Sequence, residues 1–191
     1  VAVALDRWWP TAGTHLTGER NQVPRVVRRG GELVRMALPA ERSTHAFSPA
    51  FGDVATIELP FSEIVTLSHH LAVPDIRSWL SASSLDEIRD ASTPAPAAVD
   101  ARGRSAQRFE MIVQARRGST LRTASARGQD IYAVSAPLVV EAARRLAAPG
   151  ADARGALTLG QAFDAGDFLA ALVRQGELVI DLPGVAAQAV N

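Results

Sequence analysis

Three places in this 191-residue chain hold side chains equipped for chemistry. The segment PTAGTHLTGERN, residues 10–21, gathers Thr14, His15, Arg20 and Asn21 just after a tryptophan pair. Hydroxyl, imidazole, guanidinium and carboxamide groups at this density suit a polar head group, with Arg20 gripping a carboxylate or phosphate through its planar fork. The same residue types also serve as solvated loop and capping groups. Glu63 stands among apolar neighbours in PFSEIVTL, where desolvation would raise a carboxyl toward acid-base use. A polar-face strand residue, or one paired with an arginine, is the plainer reading of Glu63. His69 is adjacent to His70 and belongs to the residue type that titrates near neutrality; it reads equally well as a structural histidine. Thr14, His15, Arg20, Asn21, Glu63 and His69 are therefore the candidate substrate contacts, and no catalytic residue is assigned.

Other chemistries are missing from the sequence. There is no cysteine, which removes disulfides, thiol nucleophiles and thiolate metal sites. All twenty basic residues are arginine, so the chain supplies no Schiff-base or P-loop lysine. No GxGxxG follows a strand, and no GxSxG, SxxK or HExxH occurs. Read as part of a strand, His69 and His70 point to opposite faces and cannot share a metal, so no metal site is expected. The formal net charge is zero, which argues for neither a nucleic-acid nor a membrane partner. No apolar run approaches the ~18 residues of a membrane span. The opening VAVAL is too short and lacks the basic flank of a signal peptide; it reads as a strand from a longer polypeptide. A cytoplasmic location is expected.

The elements that must position these groups follow from periodicity. Residues 1–9 read as a strand ending in Trp8-Trp9, and 10–24 as a loop. Residues 25–36 read as two short strands about Gly30-Gly31, and 37–53 as a surface loop anchored by His45, Phe47 and Phe51. The β-branched stretches 54–59 and 62–71 predict strands. Residues 76–80 fit a strand or a helix start after Pro74, 85–89 fit one helical turn, and 92–106 form a long loop. RFEMIVQAR (108–116) alternates as a half-buried strand, turns at Gly118-Ser119 and returns over 120–127. A helix begins near Pro137, a second is capped by Asp164, and 177–182 predicts a last strand. The order predicts an α+β domain over 1–182, with an antiparallel or mixed β-sheet and helices packed on one face, followed by a tail, 183–191.

The first of those helices carries Glu141, Arg144 and Arg145 on one narrow arc, read as solvated. Leu138, Val139, Val140, Ala142, Ala143, Leu146 and Ala147 fill the rest. That apolar surface is about twice the ~100° stripe that one core requires, so its second face needs a cover.

The strings DRWWPTAGTHLTGERN, PFSEIVTLSHHL, GRSAQRF, DIYAVSAPLVVEAARRL and GQAFDAGDFLAAL resemble the C-terminal part of bacterial saccharopine dehydrogenase-like NAD(P)-dependent oxidoreductases, over nearly the whole chain. The resemblance implies a substrate-binding and dimerisation domain that follows a Rossmann domain absent from this chain. It also implies a small-molecule substrate, NAD(P) in the full-length parent and none on this chain alone, and a homodimer. Residues 138–147 would then pack on their own sheet on one side and on the nucleotide domain on the other. In the chain by itself, a second copy or the C-terminal helix must cover that side. A far side left in water would count against this two-domain reading. The lysine-histidine pair of saccharopine-forming enzymes has no counterpart here, since lysine is absent. The alternative is a non-catalytic module that binds a ligand or a protein.

Overall fold

The computed structural model describes residues 1–21 and 23–182; the expected tail, 183–191, lies outside the described residues. In chain order the elements are β1 (Ala2–Leu5), α1 (Ala12–Arg20), β2 (Val26–Arg29), β3 (Glu32–Arg35), β4 (Arg42–Ala46), β5 (Asp53–Glu58), α2 (Glu63–His70), β6 (Trp79–Ser81), α3 (Ala82–Arg89), β7 (Arg108–Arg117), β8 (Thr120–Gln129), α4 (Ser135–Leu146), α5 (Leu159–Ala162), α6 (Ala165–Arg174) and β9 (Val179–Asp181). Seven strands form one mixed sheet in the order β4-β5-β6-β1-β7-β8-β9, with β2-β3 as a separate hairpin. β1 and β6 run parallel, and the other neighbours in the large sheet are antiparallel. The fold is α+β, as the element order predicts.

β1 lies in the middle of the sheet, and its AVAL sequence serves both faces. Val3 and Leu5 join the main core with Leu80, Phe109, Phe168, Leu172 and Leu178, beneath α3, α4 and α6. Ala2 faces the other way and packs with Trp79, Ile112 and Phe47. That second side is covered locally by residues 47–52, pinned where Ser48 donates its backbone N–H to buried Glu110 at 3.1 Å. β7 and β8 pair without interruption from Arg108↔Gln129 to Arg117↔Thr120. Gly118 takes φ +57° at the first turn position, where a side chain would be strained. Asp164 caps α6 as expected, accepting from the Asp167 N–H at 2.8 Å.

Several local expectations are corrected. The loop predicted over 10–24 contains α1, a helix with no buried residue, started by the Thr11 side chain, which accepts the Thr14 N–H. The strand predicted over 62–71 is α2: Ile64 is buried at one-turn spacing from Leu67 and Ser68, and Ser68 donates back to the Ile64 carbonyl at 2.5 Å. The loop predicted over 37–53 contains β4, an edge strand on β5. Of residues 76–80, Trp79 and Leu80 enter the strand β6 while Ile76 makes only an isolated bridge to Arg28, and the helical turn at 85–89 extends to eight residues as α3.

The sense of α4 is also reversed. Glu141, assigned to the solvated arc, is 2% exposed, with Arg144 and Arg145 bonded to its carboxylate at 2.8 and 2.7 Å. Arg145 then bridges to Asp167 on α6 at 2.7 Å and lies over the Phe168 ring. Arg144 alone of that arc is strongly exposed. Val139, Val140 and Leu146 face outward at 67%, 65% and 50% exposure. The C-terminal helix α6 therefore covers only the inward side, and the far side is in water in the single chain.

Candidate functional site

The six candidate residues do not converge. The Thr14 hydroxyl lies 2.8 Å from the Tyr132 hydroxyl, which also accepts from Trp8 Nε1 at 2.5 Å. Tyr132 is in turn held by Asp130, whose carboxylate accepts the N–H groups of Ser105, Tyr132 and Ala133 at 2.6, 3.0 and 3.0 Å. Asp130 adopts φ +59°, a conformation that costs a non-glycine residue energy and that this triple acceptance offsets. His15, the next residue along α1, is half-buried. Arg20 and Asn21 are exposed at the far end of α1, about 9 Å further along at 1.5 Å per residue. Glu63 opens α2, where burial pushes its carboxyl above the ordinary value. His69 is exposed in the last turn of α2. It borders a 430 Å³ groove lined by Arg28, Leu33, Val65 and Leu157.

A larger concavity lies elsewhere and contains none of the six. It has a volume of 650 Å³, within the ~300–1,000 Å³ range of small-molecule sites. Its floor is Ala2, Trp79 and Ile112. Its walls are the end of α2, residues 73–77, and the tip of the β7-β8 hairpin. Strand alternation places Gln114 and Arg116 on the same side as Ile112. The Arg116 side chain is exposed, with no partner among the described residues.

The wall opposite is an ordered polar cluster. The His45 ring lies 5.2 Å from the Trp79 ring, and its Nδ1 is 2.8 Å from Thr56 Oγ1. Thr56 Oγ1 also lies 3.3 Å from the Ser43 carbonyl, so it accepts from His45 in the Nδ1–H tautomer and donates to the ring in the Nε2–H tautomer. Burial lowers the His45 pKa, so the ring is neutral at pH 7. Arg77 stacks over Trp79 at 4.7 Å and bonds Glu58 at 2.9 Å, with a further ion pair to Glu41. Glu58 is 4% exposed; burial pushes its carboxyl up, but bonds from Arg77 and Arg29 outweigh that and hold it below the ordinary value. Both arginines are thereby fixed, and Arg77 holds the Trp79 ring in place in the floor.

Together these groups place a neutral imidazole, a carboxamide and a cation without a partner among the described residues around one space, over a floor that includes the largely buried Trp79. Sequence periodicity hides them because β4 reads as loop. The S-T-H-A-F alternation from Ser43 to Phe47 is its one visible trace.

The described residues do not fit a dinucleotide pyrophosphate. The parallel strands β1 and β6 pass into α1 through 6–11 and into α3 directly at Ser81, without a glycine in either turn. Nor do they contain a group of three or more His, Asp or Glu side chains placed to hold a metal. No helix among them is long and apolar enough to cross a membrane. The chain matches no protein-family model and no curated protein.

Proposed function

We propose that this chain is the substrate-binding and dimerisation domain of a saccharopine dehydrogenase-like NAD(P)-dependent oxidoreductase. The nicotinamide, bound by a separate Rossmann domain, would supply the redox chemistry. This chain would orient the substrate and be inactive alone. The observation that carries the proposal is the cleft over Trp79. It pairs an apolar floor with Arg116, Gln114 and the neutral His45 ring, a combination that seats a small polar molecule with a flat or aliphatic body. Two of the strings that carry the family resemblance meet in space, through the bonds of Tyr132 to Thr14 and Trp8. Those strings thus have a structural role, consistent with their lack of any chemical motif.

Shift mapping on the ¹⁵N-labelled chain tests this. A panel of small amino and 2-oxo acids is expected to perturb His45, Trp79, Gln114 and Arg116, while NADPH perturbs nothing. A saturable NADPH response would overturn the division of labour, and ligand shifts confined to α1 would move the site to Thr14, His15 and Arg20.

The wet far side of α4 favours a second reading, a non-catalytic module that binds a protein through Val139, Val140 and Leu146. NADPH-dependent turnover by a polypeptide carrying GxGxxG on the amino side of this domain would decide for the enzyme.

A further inference from the structure

The 430 Å³ groove that His69 borders lies between α2, the β2-β3 hairpin and residues 156–158. It shares no lining residue with the cleft over Trp79. Each of its walls is fastened. The hairpin is held where Gly31 donates its N–H to the Pro74 carbonyl at 2.8 Å and the Arg28 carbonyl accepts the Ile76 N–H at 3.2 Å. The wall at 156–158 is held against the end of α2 by Thr158, whose hydroxyl lies 3.4 Å from His70 Nδ1. Gly160 allows this approach, since a side chain there would come within 3.0 Å of the His70 ring.

The lining divides into two chemistries. Leu33, Val65 and Leu157 come from three separate segments, meet in the groove, and are 47%, 50% and 43% exposed. Hydrocarbon laid along them would remove that surface from water. The hydroxyls are already engaged: Ser68 donates to the Ile64 carbonyl, Thr66 to the Glu63 carbonyl, and Thr158 to Gln161. Polar recognition therefore falls to Arg28 and His69. Arg28 is half-buried, and its Nε donates to the Val73 carbonyl at 2.6 Å. Its Nη1 and Nη2 have no protein partner among the described residues, and no Asp or Glu lines the groove. The next residue, Arg29, lies on the other side of the strand and pairs with buried Glu58. A guanidinium partly withdrawn from water is stabilised by an anion, and Arg28 has none from the protein.

We propose that this groove binds a free aliphatic monocarboxylate, with the carboxylate on the terminal nitrogens of Arg28 and the chain along Leu33, Val65 and Leu157. The tether at Nε orients the guanidinium, and its planar fork matches a carboxylate through two parallel hydrogen bonds. One guanidinium balances one negative charge, which favours a carboxylate over a doubly charged phosphate ester. His69 stands at the rim as a second hydrogen-bonding group. The site is additional to the cleft over Trp79 and does not depend on the function proposed for it.

Methyl ¹H–¹³C shifts of the chain titrated with hexanoate, 1-hexanol and acetate test this. Hexanoate is expected to move the Leu33, Val65 and Leu157 methyls saturably. 1-Hexanol keeps the chain and acetate keeps the charge, and each is expected to bind about ten-fold or more weaker than hexanoate. Arg28→Met removes the fork, and Val65→Glu sets a like charge in the groove at an exposed position of α2. Either variant is expected to weaken hexanoate by about ten-fold or more. Val65→Glu leaves the Arg28 tether intact, so it decides the matter if Arg28→Met loosens the hairpin. Equal binding of hexanoate and 1-hexanol overturns the proposal, as does equal binding of hexanoate and acetate. So does hexanoate affinity unchanged in Val65→Glu, or the absence of a saturable response. Shifts confined to the Ile112 and Val113 methyls would place hexanoate in the cleft over Trp79. That outcome overturns this site while leaving the proposed function standing, so the two failures are distinct.

Discussion

Glu141 is nearly inaccessible, yet it is a carboxylate bonded to two guanidinium groups. Those bonds from Arg144 and Arg145 hold its pKa down to about 2. A carboxyl depressed in the folded state contributes stability above its unfolded value, and that contribution drains away as pH falls through the folded one. The Glu141→Gln variant is therefore expected to melt below the parent at pH 7, with the gap closing between pH 4.5 and 2. Paired thermal melts across that window check it, and a constant gap would show that the charge is not what matters. His45 runs with the opposite charge. Its lowered pKa means the folded state resists protonation, so stability is full above the ordinary imidazole value and declines on acidification below it. The His45 tautomer is directly visible in ¹⁵N imidazole shifts at pH 7. Thr56→Val removes the hydroxyl bonded to Nδ1 and is expected to change the tautomer ratio, and an unchanged ratio would show that Thr56 does not set it.

At the scale of elements, legibility tracks burial. β7 and α6 are readable because their apolar residues repeat at the period of the element against one core, and β8 is readable as the return strand after the Gly118-Ser119 turn. α1 buries nothing, so the hydrophobic pattern that betrays a helix has no reason to exist in AGTHLTGER. The Thr11 cap starts α1, and the Thr14 hydroxyl ties it to Tyr132. Thr11→Ala is expected to cost roughly 1 kcal/mol and, because no residue of the helix is buried, to raise amide exchange across Ala12–Arg20 selectively. Equal exchange in parent and variant would refute that role. α2 was misread because Ile64, Val65 and Thr66 are β-branched, a tendency that tertiary packing of Ile64 overrides. α4 departs from the rule that charge on a helix faces water. A buried carboxylate with two arginines satisfies its desolvation cost internally, and helical periodicity alone cannot distinguish that from a solvated arc. The candidate site suffered most, since His45 depends on β4 being a strand and Arg116 on where the β7 tip projects. One β8 position shows how tightly the sheet is filled. A side chain at Gly128 would approach the Phe109 ring to 2.7 Å, so Gly128→Ala must displace that core ring. A loss of roughly 1–3 kcal/mol in denaturant unfolding is expected.

For the whole molecule, the open question is what meets the outer face of α4. Val139, Val140 and Leu146 are exposed together, and water on that side counts against the two-domain reading unless another surface covers it in the assembled protein. Magnitude limits the answer. Three such side chains with their alanine neighbours offer a few hundred Å² at most, against ~800 Å² per partner in a stable complex. A homodimer through this face alone would therefore be weak, with a dissociation constant on the order of 10–1,000 µM. Sedimentation must accordingly be run near the upper end of that range, where a self-associating parent sediments faster than at low concentration. Val139→Asp with Val140→Asp is expected to abolish the dependence without lowering the melting temperature, because neither side chain supports the fold. A parent that stays monomeric throughout would remove self-association through α4 and leave a second domain or a protein partner as the cover. Concentration dependence that survives both substitutions would place the self-association surface elsewhere, with the long exposed tip of β7 and β8 the next surface to mutate.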